Sequence, residues 1–236
     1  MIFDLGSTLI EFESRPWPEI TVDAQTYGYQ RLTERNKRMP AFDHFISRLE
    51  EIKDEYRRHA ADTLEEWRID TAFERLLSEF DIENPVEQSR RFVSLFYDIV
   101  RREIVLCDGV AETLPALRRR NVVMGIVSNT IFPAEEHDRD LVDFDIMPYV
   151  QFRIYSSDFG WRKPKEEIYH EALRRIGLPA EQVLFVGDRY LEDVRGPQGI
   201  GMKAILRYRE GREYPNPMPN GFPVVNRLDQ ILERIE

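Results

Sequence analysis

The chain has 236 residues, of which 33 are Lys or Arg and 43 are Asp or Glu, so its formal net charge is −10. That acidity argues against nucleic-acid partners and against binding to anionic membranes, because both need a basic face. The single cysteine, Cys107, excludes a disulfide framework and argues against a thiolate zinc site.

The sequence favours a cytoplasmic protein. No apolar stretch approaches the ~18–20 residues that cross a bilayer. The first residues, MIFDLGSTLIEFESRP, carry acids where a signal peptide would carry positive charge.

A short apolar run, residues 1–3, predicts a first strand that ends at Asp4. Residues 12–103 then predict helices, because their apolar residues recur at spacings of three and four. The stripes run from Ile20 to Tyr27, Phe42 to Tyr56, Phe73 to Phe80 and Phe92 to Ile99. Four helices with no convincing strand between them predict a separate helical bundle.

From residue 104 onward, strands alternate with helices. The apolar runs that predict strands are 122–128, 150–157, 183–188, 202–206 and 223–225. Short buried strands between helices are typical of a parallel sheet covered on both faces, which is an α/β fold. We therefore predict an α/β core from residues 1–11 and 104–236, with a helical domain over 12–103 inserted into it.

Charged and polar side chains follow several of these strands. In a parallel sheet, ligands bind beyond the carboxyl ends of the strands. The residues there are Asp4, Ser128, Asn129, Lys163, Asp188 and Asp193. Unpaired buried charge is costly, and a divalent cation such as Mg²⁺ between the acids would remove that cost.

Four segments carry these residues, and their order is informative. They are FDLGSTL, GIVSNT, WRKPKEEIY and VLFVGDRYLEDVRG, the last followed by GIGM. Each is weak alone, but together, each after a predicted strand, the set resembles the haloacid dehalogenase superfamily over the whole chain. The resemblance implies a Rossmann-like core, a C1-type helical cap at residues 12–103, and a hydrolase of the phosphatase-like branch.

The resemblance also implies roles for the reacting groups. Asp4 would be the nucleophile that forms an aspartyl-phosphate. Ser128 would donate a hydrogen bond to the transferring phosphoryl group, and Asn129 would help to orient it. Lys163 would bind the phosphate and stabilise the charge on the nucleophile. The implied substrate is a small phosphorylated metabolite.

A Mg²⁺ ion is the implied cofactor. Its ligands would be the carboxylates of Asp4 and Asp188 and the backbone carbonyl of Gly6. Asp193 would lie outside the metal ligands and orient Lys163 or a metal-bound water.

Gly6 departs from the family pattern, in which this position carries a second Asp that acts as general acid and base. Losing such a group typically costs ~10²–10⁴ in rate. Three explanations stay open: a substrate with a good leaving group, a proton donor in the helical domain such as His44 or His59, or a weakly active or purely phosphate-binding protein. The dehalogenase branch also lacks the second acid and uses no metal, but Asp188 argues against it, because a second carboxylate beside Asp4 calls for a cation between them.

Several residues outside these four segments are also interpreted from the sequence. Cys107 lies among apolar residues and is interpreted as a packing residue. The acids Asp138, Asp140, Asp143 and Asp145 lack the glycine and final glutamate of a calcium loop and are interpreted as a solvated surface. Tyr27, Arg31 and Arg35 are spaced to share one face of a helix that could reach a substrate.

Overall fold

The computed structural model describes residues 1–12, 15–36 and 38–235. It divides into two compact units. One unit comprises Met1–Glu11, Val105–Thr130 and Leu141–Glu236, and the other comprises Phe12–Ile104 and Ile131–Asp140. Residues 131–140, placed by the sequence in the strand-containing part, group instead with the helices. Among the described residues, no helix has both the length and the apolarity to span a membrane.

The first unit is built on a parallel sheet. The strands in chain order are β1 (Ile2–Phe3), β2 (Ile10–Glu11), β3 (Val105–Leu106), β4 (Gly125–Ser128), β5 (Phe152–Tyr155), β6 (Leu184–Gly187), β7 (Lys203–Arg207) and β8 (Val224–Val225). Six of them form the sheet in the order β5-β4-β1-β6-β7-β8, with every pair parallel. The predicted α/β class is confirmed. Five of the six strands fall within an apolar run that predicted them, and β7 extends one residue beyond its run.

The sheet order explains where a site can form. In the sheet, β4 and then β5 lie on one side of β1, and β6, β7 and β8 lie on the other side. Strand β1 is therefore central, with Ile2 aligned with Gly125 on β4 and Phe185 on β6. The crevice where the strand order reverses is the usual binding position in such sheets, and it lies at the carboxyl ends of these three strands.

The sequence did not predict the small antiparallel pair β2–β3. Each strand has two residues, with Ile10 opposite Leu106, so neither gives an alternating pattern. Next to it, the backbone N–H of Cys107 donates to the carbonyl of Leu9. Cys107 is buried, and burial raises the pKa of its thiol to about 12, which agrees with its interpretation as a packing residue.

The helices complete both units. They are α1 (Trp17–Thr33), α2 (Phe42–Thr63), α3 (Ile69–Glu79), α4 (Pro85–Arg101), α5 (Val110–Arg119), α6 (Ala134–Asp143), α7 (Ser156–Phe159), α8 (Glu166–Ile176) and α9 (Gly196–Gly199). The four predicted helices of residues 12–103 correspond to α1 through α4. Helices α5 and α8 agree with the alternation of strands and helices that the sequence predicts from residue 104 onward.

Aromatic rings fill the core of the helical unit. Phe45 on α2, Phe73 on α3 and Phe92 on α4 are buried, and the ring centroids of Phe73 and Phe92 lie 4.1 Å apart. Helix α1 approaches α4 closely through Gly28, because a Cβ there would lie 2.7 Å from the Phe92 ring. These contacts account for the three-and-four spacing of the apolar residues.

A buried polar cluster joins α6 to α4, and it corrects one interpretation. Asp140 is fully buried rather than part of a solvated surface. Its carboxylate accepts hydrogen bonds from the Tyr97 hydroxyl at 2.5 Å and from Arg101 Nε at 3.0 Å. Arg101 also pairs with Glu136 at 3.0 Å, and the Tyr97 hydroxyl lies 2.9 Å from His137 Nδ1. Four acids close in sequence gave no sign that one of them faces inward.

We expect Asp140→Ala to lower the free energy of unfolding by roughly 2–3 kcal/mol, because it removes the acceptor of the buried Tyr97 hydroxyl and of the part-buried Arg101 guanidinium. The measurement is chemical denaturation followed by circular dichroism. Glu135→Ala, at an exposed position of the same helix, is the control and should cost less than about 1 kcal/mol. Equal destabilisation by the two substitutions would contradict this account of the cluster.

Candidate active site

Four predicted site residues meet at the carboxyl edge of the sheet, and all four are buried. Asp4 directly follows β1, Ser128 is the last residue of β4, and Asp188 directly follows β6. Lys163 lies in the loop between α7 and α8 and is 2% exposed, so its ammonium group is shielded from water. The structure therefore places these residues, all from the first unit, at one edge of the sheet.

Lys163 is held between two carboxylates. Its Nζ lies 2.7 Å from Asp4 Oδ1 and 2.6 Å from Asp193 Oδ1. Burial by itself would lower the pKa of Lys163, but the charges of Asp193 and Asp4 outweigh burial and raise the pKa above its usual value. Lys163 is therefore a permanent cation beside Asp4 at neutral pH.

Asn129 positions Lys163 through the backbone. Its side-chain Nδ2 donates to the Lys163 carbonyl at 2.9 Å, and its Oδ1 accepts from the Lys163 N–H at 2.7 Å. Both the NH₂ group and the oxygen of the Asn129 side chain therefore form hydrogen bonds with the backbone of Lys163. A direct role for Asn129 in orienting a phosphoryl group stays a prediction.

Asp193, the second carboxylate in contact with Lys163, lies on the helical turn Tyr190–Arg195. A Cβ at Gly187 would collide with the Asp193 carboxyl group, so the glycine at the end of β6 makes room for it. The Arg189 N–H donates to Asp193 Oδ2 at 2.8 Å. Burial raises the pKa of Asp193 to about 7, helped by the carboxylates of Asp4 and Asp188 and opposed by Lys163.

The acidic groups fit a divalent cation. One carboxylate oxygen from each of Asp4, Asp188 and Asp193 lies within 4.8 Å of the others. Burial raises the pKa of Asp188, the negative charge of Asp4 adds to that effect, and Arg212 and Arg189 oppose it. A hard cation between Asp4 and Asp188 would relieve this repulsion, and carboxylate oxygens are the ligands that Mg²⁺ prefers.

Gly6 lies in the tight loop between β1 and β2. Its φ lies outside the left-handed region, and the loop closes through three N–H groups that donate to the Leu5 carbonyl. The position can therefore accommodate an L-residue without backbone strain. Gly6 as a ligand through its backbone carbonyl stays a prediction.

Three arginines at and after the end of β7 were not predicted from the sequence. They lie in the segment RYREGR, residues 207–212, and contact residues of the first loop, of β2 and of the end of β6. Arg207 donates to the Ser7 carbonyl at 2.6 Å, Arg209 pairs with Glu11 at 2.8 Å, and Arg212 pairs with Asp188 at 2.7 Å. The available signal was a cluster of cations just after a strand of the sheet, in a chain that is acidic overall.

The candidate residues of the helical unit lie on its surface. His44 and His59 on α2 are exposed, and His59 Nε2 lies 2.9 Å from Glu65. On α1, the Arg31 guanidinium lies over the Tyr27 ring, 5.2 Å from its centroid. The prediction that Arg35 shares this helix is wrong, because α1 ends at Thr33.

Comparison with curated proteins finds phosphatases among the relatives. Glyceraldehyde 3-phosphate phosphatase of Methanothermobacter thermautotrophicus is 33% identical over 131 residues, which cover 52% of this chain and 57% of that protein. The Pyrococcus furiosus protein of the same name is 23% identical over 175 residues, covering 70% and 68%. Human haloacid dehalogenase-like hydrolase domain-containing protein 3 is 32% identical over 103 residues, covering 42% and 38%. The chain thus spans little more than half of the first relative.

Solved structures share the fold. A 2-haloacid dehalogenase from Pseudomonas syringae superposes with a TM-score of 0.69 at 22% identity, covering 98% of this chain and 95% of that chain. A phosphatase of the haloacid dehalogenase class from Thermococcus onnurineus gives 0.65 at 20% identity, covering 99% and 95%.

The family model for haloacid dehalogenase-like hydrolases matches residues 41–206. The match begins after the loop that holds Asp4 and Gly6, so the roles of those two residues rest on the geometry of the site and on the sequence resemblance. It covers more than half of the chain, however, and agrees with the fold. The chain belongs to the haloacid dehalogenase-like hydrolases.

Proposed function

We propose that the protein is a Mg²⁺-dependent phosphatase that hydrolyses a small phosphorylated metabolite through an aspartyl-phosphate on Asp4. The observation that carries this proposal is the buried arrangement of Asp4 with a cation on one side and Asp188 on the other. Lys163 Nζ lies 2.7 Å from Asp4 Oδ1, and a carboxylate oxygen of Asp188 lies within 4.8 Å of one of Asp4.

The proposed reaction has two steps. An Asp4 carboxylate oxygen attacks phosphorus, the ester P–O bond breaks, and the leaving alkoxide takes up a proton from water to become the alcohol. Water then attacks phosphorus, loses a proton, and releases inorganic phosphate and the Asp4 carboxylate. Lys163 stays charged throughout and offsets the negative charge on Asp4 and the phosphoryl oxygens, while Ser128 donates a hydrogen bond to those oxygens.

Mg²⁺, held by Asp4, Asp188 and the Gly6 carbonyl, would supply charge neutralisation at the phosphate. Asp193 keeps Lys163 in place, and Asn129 fixes the backbone of Lys163. The helical unit would serve as the cap domain that the resemblance implies. The cytoplasmic location and the absence of nucleic-acid and membrane partners stay predictions.

The names of the relatives suggest the substrate class. Two are glyceraldehyde 3-phosphate phosphatases, so the first substrates to assay are three-carbon phosphate esters, followed by sugar 1-phosphates and acyl phosphates, which have better leaving groups. We expect phosphate release that requires Mg²⁺ and stops with EDTA. Halide release from 2-haloacids that is insensitive to EDTA would contradict the proposal and favour the dehalogenase alternative. Binding of phosphate esters without turnover would favour the non-catalytic alternative.

Gly6→Asp tests the missing general acid. Because Gly6 has no strained φ, we expect the variant to fold and to raise kcat/KM for an alkyl phosphate by about 10². The gain should be smaller for an aryl phosphate, whose leaving group needs less protonation. Gly6→Asn, equal in size but unable to donate a carboxylic proton, is the matched control. Equal kcat/KM values for the two variants would contradict the hypothesis that the chain lacks a general acid at position 6.

A further inference from the structure

Arg212 joins the loop after β1 to the end of β6. Its Nε and its Nη2 both lie 2.7 Å from the same oxygen of Asp188, Oδ2. Nη2 also lies 3.3 Å from the Ser7 hydroxyl oxygen. One guanidinium group therefore contacts both chain segments that carry the proposed metal ligands.

The contact with Asp188 fixes the rotation of a buried carboxylate. Asp188 is 1% exposed, so water competes little for its oxygens. Both contacts fall on Oδ2, and neither involves Oδ1. The guanidinium group is planar and always charged, so it constrains an acceptor more strongly than a freely rotating ammonium would.

The segment that carries Arg212 is itself attached beside Asp188. The Tyr214 hydroxyl donates to the Asp188 carbonyl at 3.0 Å and accepts from the Arg209 N–H at 3.0 Å. Asp188 is thus contacted at its backbone by Tyr214 and at its side chain by Arg212. This arrangement orders Arg212 before any ligand arrives, which reduces the entropy cost of its contact.

We infer that Arg212 is a positioning residue of the cation site: it holds Asp188 Oδ2 so that the other oxygen can share a divalent cation with Asp4. This inference rests on the proposed function. Partners that orient metal-ligating carboxylates typically change metal affinity 10- to 100-fold when they are removed. A guanidinium that instead occupied the position of the cation would compete with it, and its removal would tighten binding.

The test is Mg²⁺ binding by isothermal titration calorimetry, without substrate, so that the readout does not depend on turnover. We expect Arg212→Gln to weaken binding by about 10- to 100-fold. The Mg²⁺ affinity of Arg212→Lys should lie between those of Arg212→Gln and the parent chain, because lysine keeps the positive charge and loses the planar contact. Arg209→Gln is the matched control: it removes another arginine–carboxylate pair of the same segment, to Glu11, without touching Asp188, and should leave the affinity nearly unchanged.

Unchanged or tighter Mg²⁺ binding by Arg212→Gln overturns the inference. If circular dichroism shows that Arg212→Gln does not fold, Arg212→Lys decides by the same criterion. An Arg209→Gln loss as large as that of Arg212→Gln also overturns the inference, because the effect would then belong to the segment as a whole. Absence of Mg²⁺ binding by the parent chain would contradict the proposed function itself.

Discussion

Asp4→Asn is expected to lower kcat for phosphate-ester hydrolysis by on the order of 10⁴-fold or more, because an amide cannot replace a carboxylate as the attacking group. The substitution is nearly isosteric and removes one of the mutually repelling buried acids, so the fold should persist. Steady-state phosphate release with Mg²⁺ measures the effect, and circular dichroism checks the fold.

Asp108→Asn is the matched control for Asp4→Asn. Asp108 belongs to the same unit, its side chain is 77% exposed, and it lies 3.8 Å from Arg227 at the surface. We expect the kcat of Asp108→Asn to equal that of the parent chain. If Asp4→Asn retained a tenth or more of the activity, the group that attacks phosphorus would have to be another one.

Lys163→Met should have the second-largest effect, on both activity and stability. The substitution leaves the carboxylates of Asp4 and Asp193 buried without the cation that lies within 2.7 Å of each. Breaking a buried ion pair by removing one partner costs about 3–5 kcal/mol of folding free energy. We expect kcat to fall by roughly 10³-fold, because the cation beside the attacking carboxylate is lost.

Lys165→Met separates these effects from a general response to losing a lysine. Lys165 lies two residues away, its side chain is 32% exposed, and its ammonium group lies over the Trp161 ring at 4.5 Å. Its loss should cost less than about 1 kcal/mol. Denaturant titration and kcat on both variants decide the point, and a similar result for the two lysines would contradict the role given to Lys163.

The fold was predictable where burial leaves a periodic pattern in the sequence. Strands buried on both faces, such as β4 and β6, read as uninterrupted apolar runs, and the helices of residues 12–103 show the three-and-four spacing of one buried face. The β2–β3 pair escaped prediction because two residues cannot establish a period. Asp140 was misread because its burial depends on Tyr97 and Arg101, which are distant in sequence.

The residues at the strand ends could be predicted to lie together because the strand ends of a parallel sheet meet at one edge. That rule locates Asp4, Ser128 and Asp188 without knowledge of any contact. The rule does not predict the contacts of each side chain. Asn129 forms hydrogen bonds with the backbone of Lys163, and Arg212, which pairs with Asp188, lies in a segment that follows β7. Such contacts depend on loop conformation, which the apolar pattern does not encode.

Covalent transfer of a phosphoryl group to Asp4 is the central claim, and mass spectrometry of acid-quenched reactions tests it most directly. The chain is mixed with Mg²⁺ and its best phosphate ester, quenched within the first turnovers, digested and mapped. We predict a mass gain of one phosphoryl group on the peptide that contains Asp4, removable by hydroxylamine and missing from Asp4→Asn. Turnover without that gain, or a phosphoryl group on a different residue, would contradict the account.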